Sequence, residues 1–182
     1  MFNSSALLQH FTTHSNLPHV SKYHRENYFE HSMLVVEAMG TLTNDTTLLI
    51  AACLHDIAKS RTQGLNKINE PCFYGHNEVC DKELSQFLTI DDERFARVKA
   101  LIWCHMFPYT LANAKDYDKS IRKNCRNALV RAGIDIEVDD DFLRDVALLH
   151  EADDTGSIRH DEDLAGIESR IEKAYCIING LK

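Results

Sequence analysis

Proline and glycine are scarce, three and seven in 182 residues. That scarcity excludes a collagen-like repeat, a proline-rich linker and a largely disordered chain. No two of the six cysteines, at positions 53, 72, 80, 104, 125 and 176, have the CxxC spacing, so neither a zinc ribbon nor a thioredoxin-type motif is present. Long apolar runs are missing too. The longest, residues 48–54, falls far short of the about 20 residues that a bilayer span takes. The opening stretch, MFNSSALL, has no basic region and no long apolar segment, so no signal peptide is expected. Positive charge is in deficit: 20 Lys and Arg against 28 Asp and Glu leave a net −8. A broad grip on a nucleic-acid backbone relies on clustered positive charge and is therefore disfavoured. A small phosphate ligand in a local pocket stays open.

What is present suits one domain over residues 1–182. Apolar residues make up 44% and charged residues 26%. A chain of this size buries roughly 70% of the surface that its unfolded form exposes, so it needs no disulfide staples. Reduced thiols and a cytoplasmic setting are expected. Cys53 and Cys104 sit in apolar helical patterns and read as small core residues.

Helical periodicity dominates, and the predicted fold is an all-α bundle of seven or eight helices. A first helix is expected over about residues 4–13 and a second over 27–42. A third starts near Asn44-Asp45, which can cap it, and reaches Lys59. Residues 60–74 read as a loop, with Gly64 and Pro71 as breakers. A fourth helix runs from Gly75-His76 to Leu88, and a fifth from Asp91 or Asp92 to Phe107, just before Pro108. A sixth covers 118–132 and ends on Gly133. A seventh covers 139–153, and an amphipathic last helix covers 161–179. The strand signal is weak and confined to residues 134–138.

Chemistry is read from the polar residues that interrupt apolar faces. At 100° per residue His31 falls between Leu34, Val35 and Ala38. His55 and Asp56 close the third helix. His105 sits among Phe95, Val98, Leu101 and Ile102, and Asp153 lines up with Phe142, Val146 and Leu149. A lone core histidine is commonplace. A buried carboxylate is costly unless paired or bound to a metal, and several such residues on separate helices are explained together by a shared cation. Imidazole nitrogens with carboxylate oxygens suit first-row divalent metals.

The ordered set His31, His55-Asp56, Asp153, in the strings EHSMLVVEAM, AACLHDIAKSRT and LLHEADDTGS, resembles the HD superfamily of metal-dependent phosphohydrolases. The HD dipeptide alone is weak, since His160-Asp161 is a second copy. Two further strings, Phe73-Tyr74-Gly75-His76 and Trp103-Cys104-His105-Met106-Phe107-Pro108, are similar to those in the HD domain of bacterial tRNA nucleotidyltransferases and in related free-standing HD hydrolases. The resemblance spans about residues 28–160; the nucleotidyltransferase catalytic domain has no counterpart. It implies that His31, His55, Asp56 and Asp153 ligate one metal. It implies too that His76 and His105 take a second metal bridged by Asp56, or else contact substrate phosphate or act as acid and base. Asp154 is the rival of Asp153 and points roughly 100° away on an ideal helix. His150 lies near the same stripe and is expected to pack or face solvent. Lys59, one turn past His55, either meets substrate phosphate or is a solvated helix end. Arg61 and Thr62 could add donors, and His24 and Arg25, just before the second helix, either line the mouth of the site or, the favoured reading, are ordinary surface. The acidic clusters at 139–141 and 161–163 read as helix caps. The basic stretch Lys119, Arg122, Lys123, Arg126 is the one candidate for touching a polynucleotide, with a solvated face the favoured reading.

The expected activity is hydrolysis of a phosphate ester or anhydride on a small nucleotide: a 2′,3′-cyclic phosphate, a nucleoside monophosphate, a dNTP or a dinucleoside polyphosphate. One or two divalent ions are implied, with Fe, Mn, Co, Ni, Zn and Mg not distinguished. No membrane partner is expected, long nucleic acid is disfavoured, and the oligomeric state is open. Two alternatives stand beside it, a di-iron oxygenase on the same six residues and a non-catalytic nucleotide-binding module.

Overall fold

The computed structural model describes residues 1–17, 25–158 and 166–181. Their architecture is an all-α bundle of α1 (Ser4–Thr13), α2 (Tyr28–Leu42), α3 (Thr46–Leu54), α4 (Lys59–Thr62), α5 (Asp81–Phe87), α6 (Phe95–Cys104), α7 (Phe107–Leu111), α8 (Tyr117–Ala132), α9 (Asp140–Gly156) and α10 (Ile167–Gly180). Eight of these correspond to the eight expected helices, and the short α4 and α7 follow breaks in the pattern. No helix among the described residues is long and apolar enough to cross a membrane.

α2 is the central element, packed against α3, α9 and α10. Its start is fixed by a capping box: Glu30 N donates to the Asn27 side chain and Asn27 N donates to Glu30 Oε2, both at 2.9 Å. Every residue from Met33 to Met39 is buried. α3 is buried throughout residues 48–54 and is capped by Asp45, whose Oδ1 accepts from Thr47 N at 2.7 Å. The last helix, α10, lies on α2, where Arg170 Nε donates to Glu37 Oε2 at 2.7 Å. Its expected start near residue 161 lies outside the described residues, as do His24 and the His160-Asp161 pair.

Several boundaries differ from the pattern, each for a local reason. α3 stops at Leu54 rather than Lys59. The His55 ring donates from Nδ1 to Ala52 O at 2.9 Å, and the chain passes into tight turns, with Ile57 N on Leu54 O and Lys59 N on Asp56 O. α6 stops at Cys104 in the same way, with His105 Nδ1 on Ile102 O at 2.7 Å. Pro108 then falls in the first turn of α7, where its missing N–H costs no helical bond. The loop after α4 contains a small antiparallel hairpin, β1 (Gly64–Leu65) with β2 (Pro71–Cys72). The expected fourth helix is divided into a 3-10 turn, His76–Glu78, and α5. Gly75 enters that turn at φ 74°, a left-handed conformation that glycine adopts without a Cβ penalty. Residues 134–138 form no strand; they lead into Asp139, which caps α9 by accepting from Phe142 N at 2.7 Å. α9 runs three residues past Asp153, so that side chain projects from within a helix. All six cysteines are free, and Cys53, Cys80, Cys104 and Cys125 are buried.

Candidate metal centre

Four separate parts of the chain deliver side chains to one buried point: the first turn of α2 (His31), the turn after α3 (His55, Asp56, Lys59), the 3-10 turn (His76) and the end of α6 (His105). α9 adds Asp153 from a fifth direction. Asp56 is the hub. Its Oδ2 lies 3.5 Å from His31 Nε2, 3.2 Å from His55 Nε2 and 2.5 Å from Lys59 Nζ, and its Oδ1 lies 3.0 Å from His76 Nε2. Asp153 Oδ1 approaches His31 Nε2 at 3.1 Å and His55 Nε2 at 3.6 Å. His76 Nε2 and His105 Nε2 are 3.3 Å apart.

Two sets of donor atoms thus lie within 4.8 Å of one another, His31–His55–Asp56 and Asp56–His76–His105, and they share Asp56. The ring orientations suit a cation. The Nδ1 atoms of His55, His76 and His105 each donate to a backbone carbonyl three residues back, those of Ala52, Phe73 and Ile102. That fixes the tautomer and turns the Nε2 lone pair inward. His55 Nε2 is fully buried with no hydrogen-bond partner, a costly state that a metal would relieve. The residues present therefore fit a divalent ion of the first transition row.

The electrostatics agree. Burial alone would lower the pKa of His31, but Asp153, Asp56 and Glu26 override it and raise it well above the usual histidine range. His55 is likewise pushed up to about 9 against burial, by Asp56 and Asp153. Burial would raise both carboxyls. Instead His55 and Lys59 hold Asp56 well below the usual carboxylate range, and His31 and His55 do the same for Asp153. His105 is pushed down to about 3 by burial and by the neighbouring His76 and His55. A field that draws protons onto buried imidazoles also favours a metal cation.

Of the residues singled out in the sequence, the cluster gathers His31, His55, Asp56, Lys59, His76, His105 and Asp153. Lys59 is buried against Asp56, with Nζ 5.6 Å from the Phe73 ring centre, rather than standing at a solvated helix end. Asp153 keeps 22% side-chain exposure, while Asp56 keeps 4% and His76 8%, so the cluster meets solvent on the α9 side. Asp154 is exposed. Arg61 is not brought in: it donates to Glu83 Oε2 at 2.9 Å and to Val79 O. Thr62 donates to Ala58 O of its own turn. Arg122 of the basic stretch donates to Asp140 and to Val138 O, while Lys119, Lys123 and Arg126 are exposed. Glu26, which approaches His31 from behind, went unnoticed in the sequence. It lies before the α2 cap, where periodicity carries no signal.

The HD-domain family model matches residues 28–139, more than half of the chain. The chain belongs to the HD-domain family. HD domains are generally metal-dependent phosphohydrolases, and a metal-using hydrolase is what the cluster supports at that level. The match stops short of the expected residue 160, so Asp153 stands on its geometry, the contacts with His31 and His55. No curated protein and no solved structure matches the chain.

Proposed function

We propose that this HD domain hydrolyses a phosphate ester or anhydride of a small nucleotide, with His31, His55, Asp56 and Asp153 holding one divalent cation and Asp56, His76 and His105 able to hold a second. The observation that carries this reading is the placement of Asp56, whose Oδ2 lies near His31 and His55 while its Oδ1 lies near His76. A divalent cation bound there lowers the pKa of water toward ~7 in strong cases and neutralises phosphoryl charge. The protein's own groups supply the rest. Asp56 is ionised, so its carboxylate oxygens can hold the cation and orient the attacking water beside it. Lys59, buried beside it, offers a cation to the phosphoryl oxygens as charge develops. His105 is neutral near pH 7, its Nδ1–H spent on Ile102 O, which suits a metal ligand rather than an acid. The net charge of −8 favours a small nucleotide over a long polyanion. The resemblance to free-standing HD hydrolases points to the same class, including 2′,3′-cyclic phosphates, nucleoside monophosphates, dNTPs and dinucleoside polyphosphates. Reduced cysteines are in keeping with a cytoplasmic setting.

The test is a panel of those nucleotides assayed with Mn, Co, Ni, Mg and Fe, on the wild type and on Asp56→Ala. Turnover that needs a metal and vanishes in Asp56→Ala, with helix content unchanged by circular dichroism, is the expected result. No turnover with any pairing, or full activity in Asp56→Ala, contradicts it. Oxygen uptake by the iron form would replace hydrolysis with oxidation.

A further inference from the structure

Three of the four clustered histidines are oriented alike, each with Nδ1 on a backbone carbonyl three residues back. His31 is the exception. It sits in the first turn of α2 rather than at a helix end, and its Nδ1 lies 3.3 Å from Glu26 Oε1. Glu26 is itself buried, at 2% exposure. Its second oxygen is occupied: Oε2 accepts from Ile158 N at 2.9 Å and from Arg25 N at 3.0 Å. Ile158 lies just past α9, five residues beyond Asp153. One carboxylate therefore backs the His31 ring and ties down the end of the helix that carries Asp153.

We propose that Glu26 is a positioning residue: its carboxylate holds the His31 ring with the proton on Nδ1, presents the Nε2 lone pair to the cation shared with His55, Asp56 and Asp153, and anchors the α9 end against α2. A buried carboxylate behind a ligating imidazole fixes ring direction and makes the nitrogen opposite a better donor than a carbonyl does. The neutral carbonyl partners of His55, His76 and His105 confer the first effect and less of the second. The first triad is thereby the tighter of the two cation positions. The inference rests on the reading that the cluster binds metal, and its test keeps the two apart.

The full chain is stripped of metal and titrated with Co(II) alone, against a competing chelator, as wild type, Glu26→Gln and Glu26→Ala. Glu26→Gln keeps the size and one acceptor but loses the charge. Its affinity for the first Co(II) is expected to fall about 10–100-fold, and that of Glu26→Ala at least as far, with far-UV circular dichroism preserved. Long-range 1H–15N spectra of the wild type loaded with Zn(II) should show His31 protonated on Nδ1 and metal-bound through Nε2, a result that does not depend on any variant folding. A wild type that takes up no Co(II) overturns the metal reading and this inference with it. A wild type that binds Co(II) while Glu26→Gln binds it equally well overturns the inference alone, even if the variant melts earlier. His31 bound through Nδ1 overturns it as well.

Discussion

Lys59 and His10 show how burial gives single residues testable behaviour. Lys59 Nζ lies 2.5 Å from Asp56 Oδ2, and under the proposed function it meets a phosphoryl oxygen without itself ligating the cation. Lys59→Met should leave metal content near that of the wild type and lower kcat about 100-fold, the scale of losing one donor to developing oxyanion charge; steady-state kinetics beside elemental analysis measure both. His10 lies far along the chain from the cluster, on α1, with its ring edge-on to Phe11, Tyr28 and Phe87. Burial, and then the adjacent His14, push its pKa down to about 4. The fold thus keeps this imidazole neutral. Below pH ~6.5 the unfolded chain takes up a proton that the folded chain refuses. The His10 contribution to stability is therefore intact above that pH and is lost as pH falls toward 4. The urea midpoint of His10→Phe relative to the wild type should rise between pH 7 and pH 4.5, whatever its value at pH 7, and a constant difference would show that His10 titrates alike in both states.

At the scale of elements, the approach of α9 to α2 decides where Asp153 meets His31. Gly156 makes that approach possible: a Cβ there would stand 2.7 Å from Val35 N and 2.9 Å from Val35 Cα. Backbone cannot yield as a side chain does, so the helices would have to separate. Gly156→Ala should cost about 1–3 kcal/mol and weaken metal binding by moving Asp153. At Gly40 the added Cβ meets only the tip of Ile177, Cδ1 at 2.5 Å. That side chain can turn, so Gly40→Ala should be milder on both counts; thermal melts and metal titrations of the two variants compare them directly. The long helices were legible from periodicity and caps, since Asn27, Asp45, Gly133 and Asp139 act locally. The ends at Leu54 and Cys104 were not. There a histidine ring takes a carbonyl and the chain tightens, and the inward face of α3 continues smoothly through His55, so the pattern gives no warning. The 60–74 hairpin was hidden for a similar reason, its strands being two residues each, too short for alternation to register.

Over the whole molecule, a buried bundle brings His31, His55-Asp56, His76, His105 and Asp153, spread across more than 120 positions of sequence, to one point. The amphipathic patterns identified most of these residues, because a polar residue on an apolar face stands out. His76 was found through its likeness to known HD sequences and not through periodicity, since it sits in a 3-10 turn with no face to interrupt. Arg61 looked like a donor because it opens the loop after Lys59, yet its position two residues along the turn directs it to Glu83 instead. The negative net charge, by contrast, says little about the centre, where carboxylates and imidazoles set their own field. The most direct measurement is anomalous diffraction at the manganese edge from crystals of the full chain soaked in Mn(II). A peak within coordination distance of His31 Nε2, His55 Nε2, Asp56 and Asp153 is expected, with a second, where occupied, on the His76–His105 side of Asp56. Manganese bound elsewhere on the folded chain, with no peak at Asp56, would contradict it.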